Sequence, residues 1–135
     1  MSKREPLTIK SRSIGIAALT LLQSLIGIIH AACGLLLLGS ELASGSQASI
    51  VYDIYTIVFG LFTLVFAWHI WQGKKLGWAG TIAVLTFVII ADTLRVLNLS
   101  SIPGIPWLAA PFEISYSLIV IFYLLLPDVR KKFTS

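Results

Sequence analysis

Charged residues are scarce in this chain. Only 12% of its 135 residues are Asp, Glu, Lys or Arg, whereas about 25% of the residues are charged in typical soluble domains. Hydrophobic residues make up 57% of the sequence, and the mean hydropathy is +0.92. This composition excludes a water-soluble globular domain and indicates a chain that folds in lipid.

Cysteine and catalytic motifs are also sparse. Cys33 is the single cysteine, so the chain can form no internal disulfide and has no CxxC motif. The sequence contains no phosphate-binding glycine loop and no recognisable nucleophile–base pair. We therefore expect a protein that is not an enzyme and that holds no cofactor and no metal.

Long apolar runs are what the sequence does contain. There are four, and each can supply the roughly 20 residues that a helix needs to cross about 30 Å of hydrocarbon. The runs are continuously apolar rather than alternating, which favours helices over barrel strands. Short connections predict that consecutive helices pack side by side and antiparallel. The predicted fold is therefore an all-α, four-helix transmembrane bundle that forms a single domain over residues 1–135. Its predicted spans are 14–38, 49–72, 76–98 and 107–126.

Basic residues are missing from two of the three connections. The segments 39–48 and 99–106 contain no Lys or Arg, whereas basic residues occur in both tails and in the connection at 73–75. The positive-inside rule then predicts a multi-pass protein of the plasma membrane with both termini cytoplasmic. We expect the basic tails to lie against anionic lipid headgroups, so the net charge of +4 indicates no nucleic-acid partner.

Glycine and proline residues mark the connections between the predicted spans. Gly73 and Gly77 are predicted to break the helices on either side of the 73–75 connection. The segment 99–106 contains two prolines and a glycine, so it cannot continue a helix. Pro111 is placed to open the last span and Pro127 to close it.

Small and polar residues recur at helical spacing in the first three spans. Helices in lipid associate through close packing of small residues and through polar contacts, so we expect these faces to point into the bundle. The glycines at the closest approaches are predicted to be Gly27, Gly34, Gly60 and Gly80. The three faces comprise Gln23, Gly27, His30, Ala31 and Gly34; then Asp53, Thr56, Gly60, Thr63 and Ala67; then Gly77, Gly80 and Ala83.

Ionisable residues at membrane depth form the least ordinary feature of the sequence. Each costs roughly 2.5–3.5 kcal/mol at mid-span. At a rise of about 1.5 Å per residue, the antiparallel arrangement brings one or more such residues from every span into the outer third of the membrane. This predicted intramembrane polar layer contains His30, Asp53, Asp92, Arg95 and Glu113, with Tyr52, Tyr55, Asn98 and Tyr116 at similar depth.

The layer has two interpretations. In the first it pins the helices together, because Asp92 and Arg95 are three residues apart and can form an ion pair, and Arg95 can also reach Glu113. In the second it is a functional site. The candidates are a proton or cation relay, a metal site of His30 with Asp53 and Glu113, and a docking point for a partner helix.

The order of features resembles that of small, uncharacterised four-span integral membrane proteins of bacteria and archaea. Four features carry the resemblance: the glycine-bearing "SLIGIIHAACGLLLL" at 24–38, the turn "WQGKKLGWAG" at 71–80, the acid near the end of the third span, and the closing "YSLIVIFYLLLPDVRKKF" at 116–133. The resemblance covers nearly the whole chain. It implies the fold and supplies no activity.

Small size and the lack of extramembrane mass favour a supporting role. We expect a non-catalytic accessory or structural subunit of a larger membrane protein complex, whose partners are the lipid bilayer and other membrane subunits. The alternative is a small transporter or channel that forms by homo-oligomerisation and uses the outer polar layer as its gate or site.

Overall fold

The structure is all-α. A computed structural model describes residues 14–47, 49–99, 103 and 105–133, and within these ranges it contains no strand. The predicted basic N-terminal tail, and residues 100–102 of the proline-containing connection, lie outside the described residues. The helices are α1 (Ile14–Ser44), α2 (Ile50–Trp71), α3 (Lys75–Val96), α4 (Ala110–Leu125) and the short α5 (Pro127–Arg130). Helices α1, α2 and α3 are long and apolar enough to cross a membrane. Helix α4, with 16 residues, is about 24 Å long.

Three helix ends lie two or more residues from the predicted spans: α1 ends at Ser44 instead of 38, α3 ends at Val96 instead of 98, and α4 begins at Ala110 instead of 107. Helix α1 continues through the segment 40–44, which contains good helix formers, and the chain leaves the helix at Gly45, where φ is 73°. Glycine adopts this left-handed conformation without a steric penalty. Helix α3 ends two residues before its predicted limit because Asn98 has a φ of 56°, and the N–H of Leu99 donates to the carbonyl of Leu94 at 2.8 Å.

A tight turn joins α2 to α3. Gly73 has a φ of 68° there, and its N–H donates to the carbonyl of Ile70 at 2.9 Å. The other predicted breaker, Gly77, lies inside α3, so that prediction was wrong. A side chain at Gly77 would overlap the backbone of His69 and Ile70 at the end of α2. Glycine is needed at this position for close packing rather than for a turn.

Consecutive helices pack side by side and antiparallel. Contacts join α1 to α2, α2 to α3 and α3 to α4. Along the first interface Gly27 lies against Gly60, while Gly34 lies against Ile57, so later residues of α1 meet earlier residues of α2. The described helices therefore form the predicted antiparallel bundle.

The backbones of α1 and α2 also approach each other closely. A Cβ on Gly60 would lie 2.6 Å from the backbone nitrogen of Ala31 and 2.7 Å from the carbonyl oxygen of Gly27. Glycine therefore allows the two backbones to touch, which is how helices associate in lipid. Gly80 of α3 packs differently, since its neighbour is the ring of Phe66, a side chain that can move.

The buried faces follow the predicted spacing in α2 and depart from it in α3. All five residues of the predicted α2 face are buried. On the α1 face, His30 and Ala31 are only partly buried. The α3 face is rotated relative to the prediction: Ala83 is exposed, and Thr81 and Leu85 are buried instead. Gly77 contacts the end of α2. Thr81 and Leu85 follow Gly77 by four and eight residues, so they lie on the same side of α3 and are buried with it.

A hydrophobic core closes one end of the bundle, which we call the basic end because it carries Lys74, Lys75 and Arg130. There the indole Nε1–H of Trp78 donates to the carbonyl of Leu124 at 2.8 Å. The Arg130 guanidinium carbon lies 5.3 Å from the centroid of the Trp78 ring. These contacts tie α3, α4 and α5 together. The buried core residues are Ile16, Leu19, Ile70, Leu85, Val120, Leu124, Val129 and Phe133.

Candidate functional site

The opposite end of the bundle, here called the acidic end, carries the residues of the predicted polar layer. The antiparallel packing brings the late part of α1 and α3 together with the early part of α2 and α4. Within this end the structure brings Asp92 to Glu113, and it places His30 on the same cavity as Glu113. Asp53, Asp92 and Arg95 do not line that cavity themselves.

The cavity lies where α1 and α4 separate. These helices meet near the basic end, where Gly15 lies against the side chain of Tyr123. Toward the acidic end a cavity of about 230 Å³ is bordered by all four long helices and by Ile105. Its walls are largely apolar and aromatic. The lining residues are Ile26, His30, Tyr52, Tyr55, Thr56, Phe59, Leu85, Val88, Ile105, Phe112, Glu113, Tyr116 and Ser117.

Asp92 is the most enclosed acid beside this cavity. It is 1% exposed, and neither of its carboxyl oxygens has a hydrogen-bond partner among the described residues. Its carboxyl group interacts with that of Glu113 across the α3–α4 interface, and both carboxyl groups interact electrostatically with the phenols of Tyr52 and Tyr55. Two adjacent carboxyl groups repel each other when both are ionised, so a cation between them is favoured.

The expected ion pairs of Arg95 do not form. No carboxylate oxygen of Asp92 or Glu113 lies within 4.0 Å of the Arg95 guanidinium, and the ion pair found among the described residues joins Lys131 to Asp128 at 4.0 Å. Instead the Nε–H of Arg95 donates to the carbonyl of Ile105 at 3.1 Å. Arg95 lies in the last turn of α3, so its long side chain extends beyond the helix end and does not turn back toward the bundle interior.

His30 borders the cavity from α1. Its Nδ1 lies 2.8 Å from the carbonyl oxygen of Ile26, and this oxygen can only accept, so Nδ1 carries the proton of the bond. In the neutral form of the ring, Nε2 is then an acceptor. The ring also packs edge-on against Phe59, with centroids 4.9 Å apart and planes at 66°. His30 is thus held in one orientation by local contacts.

Asp53 belongs to the α1–α2 interface and not to the cavity. It is 1% exposed, and a Cβ on Gly34 would lie 3.1 Å from its carbonyl oxygen. Its carboxyl group interacts electrostatically with Glu41, and its Oδ2 has no hydrogen-bond partner among the described residues. The described residues contain no group of three His, Cys, Asp or Glu that could hold a metal. The candidate metal site of His30, Asp53 and Glu113 is therefore not assembled.

A second buried polar patch lies deeper in the bundle. Gln23, Thr63 and Thr81 come from three different helices, are each 3–4% exposed and border one small recess. The Gln23 amide lies beside the Tyr116 hydroxyl, yet the Gln23 Nε2 and that hydroxyl have no aligned hydrogen-bond partner among the described residues. Sequence reasoning missed Thr81, although its four-residue step from Gly77 was a usable signal.

Several cavity residues were also missed. Ser117 follows Glu113 by four residues, so the spacing indicates a shared face of α4. Nothing local in the sequence marks Ile105, which reaches the cavity from a connection and is 2% exposed.

No protein-family model, no curated protein and no solved structure matches this chain.

Proposed function

We propose that the chain crosses the plasma membrane four times, with both termini and the α2–α3 turn on the cytoplasmic side. Three described helices are long and apolar enough to cross a membrane. Lys74, Lys75 and Arg130 lie at one end of the bundle, and the described part of the α1–α2 connection at the other end has no Lys or Arg. This asymmetry supports the orientation. The shorter α4 is accommodated by local thinning of the bilayer.

Within that membrane, the proposed role is a non-catalytic accessory subunit of a larger membrane protein complex. An apolar groove of about 390 Å³ between α2 and α3 supports this role most directly. The groove opens sideways at membrane depth, and Ala83 lies in it. A small residue in an aromatic groove allows a partner helix to approach closely. The groove is lined by Tyr55, Val58, Phe59, Phe62, Ala83, Val84 and Phe87.

The experiment is a purification at native expression level in mild detergent. The expected result is one or more larger membrane subunits in fixed stoichiometry, which are lost when Ala83→Leu fills the groove. Ala32→Leu is the matched control, because Ala32 is an exposed helical alanine outside the groove. Isolation of the chain alone, or equal retention of the partners in both variants, contradicts the proposal.

A second candidate function is a homo-oligomeric transporter or channel. The cavity at the acidic end favours it, because Glu113 borders that cavity and the buried Asp92 lies next to it. Acidic residues inside membranes often mark ion pathways. The corresponding experiment reconstitutes the purified chain in liposomes. Movement of protons or cations by a homo-oligomer supports this candidate, and a silent monomer contradicts it.

A further inference from the structure

The cavity at the acidic end is lined by the Glu113 carboxyl group and several hydroxyl groups, and its described lining residues include no basic group except the His30 imidazole. Glu113 borders the cavity, and the carboxyl group of Asp92 adjoins it. His30 donates through Nδ1 to Ile26, so in the neutral form of the ring only Nε2, an acceptor, is left for other partners. A ligand that pairs with these two carboxyl groups therefore carries positive charge or donates hydrogen bonds.

The nearest arginine does not supply that charge. The Nε–H of Arg95 donates to the backbone carbonyl of Ile105, and its guanidinium makes no ion pair with Asp92 or Glu113. Ile105 is 2% exposed and covers part of the cavity. Arg95 therefore acts as a positioning residue that holds this cover, and the two carboxyl groups remain without a cationic partner among the described residues.

Aromatic walls add a second preference for positive charge. Tyr52, Tyr55, Phe59 and Phe112 all line the cavity. The faces of such rings attract ammonium groups, most strongly in desolvated sites. An uncharged apolar ligand gains the contacts with the walls but leaves the carboxyl groups unpaired, which is costly in a buried site.

We infer that this cavity binds a small lipophilic ammonium ion, with its cationic head at Glu113 and its apolar body against the aromatic walls. The volume of about 230 Å³ is below the roughly 300–1,000 Å³ of pockets for drug-sized ligands. It therefore limits the ligand to about one ring and a compact head group. This inference goes beyond the proposed functions, because such a site serves an accessory subunit and a transporter equally.

The first experiment compares two probes of the same shape on the full-length protein in uncharged detergent. Benzyltrimethylammonium carries a permanent charge, and neopentylbenzene is its uncharged isostere. Isothermal calorimetry is expected to show about ten-fold tighter binding of the cation. Equal affinity for the two probes, or binding of neither, overturns the inference.

The second experiment repeats the titration with Glu113→Gln and with Asp53→Asn as the matched control. Asp53 is a buried acid at the same end of the bundle that does not border the cavity. The Glu113→Gln variant should lose the roughly ten-fold preference for the cation, whereas Asp53→Asn should retain it. If the Glu113→Gln variant keeps the full preference for benzyltrimethylammonium over neopentylbenzene, the inference is overturned.

A measurement on the unaltered protein covers the case in which the Glu113→Gln variant does not fold. Dicyclohexylcarbodiimide modifies carboxyl groups in apolar surroundings, and mass spectrometry reports modification at Glu113. Benzyltrimethylammonium should slow that modification, while neopentylbenzene should not. Absence of protection by the cation overturns the inference. Co-purification of partner subunits is an independent result, so the ligand site and the accessory role can fail separately.

Discussion

Asp92 and Arg95 show at the residue scale that spacing along a helix does not by itself determine which partner a side chain meets. They are three residues apart, which permits an ion pair. In the structure the Asp92 carboxyl group meets Glu113 on α4, whereas Arg95 reaches Ile105. Asp92 lies on the buried face of α3, whereas Arg95 lies in the last turn of that helix, where its side chain can reach water or lipid headgroups.

Replacement of the buried acid tests this arrangement. We expect Asp92→Asn to leave the free energy of unfolding unchanged or to raise it, because the substitution removes a carboxyl group that has no hydrogen-bond partner among the described residues. The measurement is thermal unfolding in detergent. Asp128→Asn, at an exposed ion pair, is the control and should have no measurable effect.

The opposite outcome would restore the ion-pair interpretation. If Asp92 and Arg95 pinned the bundle as an ion pair, Asp92→Asn would cost about 3–5 kcal/mol, the usual effect of removing one partner from a buried pair. A loss of that size in the free energy of unfolding would contradict the arrangement in which Asp92 meets Glu113 and Arg95 reaches Ile105.

At the scale of elements, α1 and α2 are held by backbone contact through glycine. We expect Gly60→Leu to lower the free energy of unfolding by about 1–3 kcal/mol or more, because its Cβ alone would lie 2.6 Å from the backbone nitrogen of Ala31. Gly39→Leu is the matched control, since a Cβ at Gly39 would meet nothing within 4 Å. The control should be neutral or slightly stabilising, because leucine is the better helix former. Equal melting temperatures for the two variants would contradict the assigned interface.

The end of α4 is held by a different device, a side-chain clamp at Trp78. We expect Trp78→Phe to cost about 1–2 kcal/mol, through loss of the hydrogen bond to the carbonyl of Leu124 and a weaker contact with Arg130. Hydrogen exchange of the amides from 124 to 130 should rise in this variant. Trp68→Phe provides the control, because Trp68 is 60% exposed. Unchanged exchange in the Trp78 variant would show that the clamp does not hold α5.

At the scale of the whole molecule, the uneven distribution of basic residues predicts one orientation. In a Cys33→Ala background, a cysteine at Gln47 should react with a membrane-impermeant maleimide added to intact cells. A cysteine at Lys74 should react only after permeabilisation, because the α2–α3 turn is predicted to face the cytoplasm. The reversed labelling pattern would contradict the proposed topology.

Much of the architecture was readable from the sequence alone. Runs of about 20 apolar residues predict helices because lipid offers the backbone no hydrogen-bond partners. The spacing of Asp53, Thr56, Gly60, Thr63 and Ala67 predicted the buried face of α2, since residues three and four apart share a side of a helix. Turn positions at Gly73 and Pro127 were likewise local properties of the chain.

The partners of the polar residues were decided only by the tertiary structure. The sequence placed His30, Asp53, Asp92, Arg95 and Glu113 at a similar depth, because depth depends on position along the span. Their grouping depends instead on helix rotation and on where the chain returns after α3. Those two factors joined Asp92 to Glu113, turned Asp53 toward α1 and brought Ile105 over the cavity. Rotation is fixed by contacts between helices, such as Gly77 against the end of α2, and no single span contains that information.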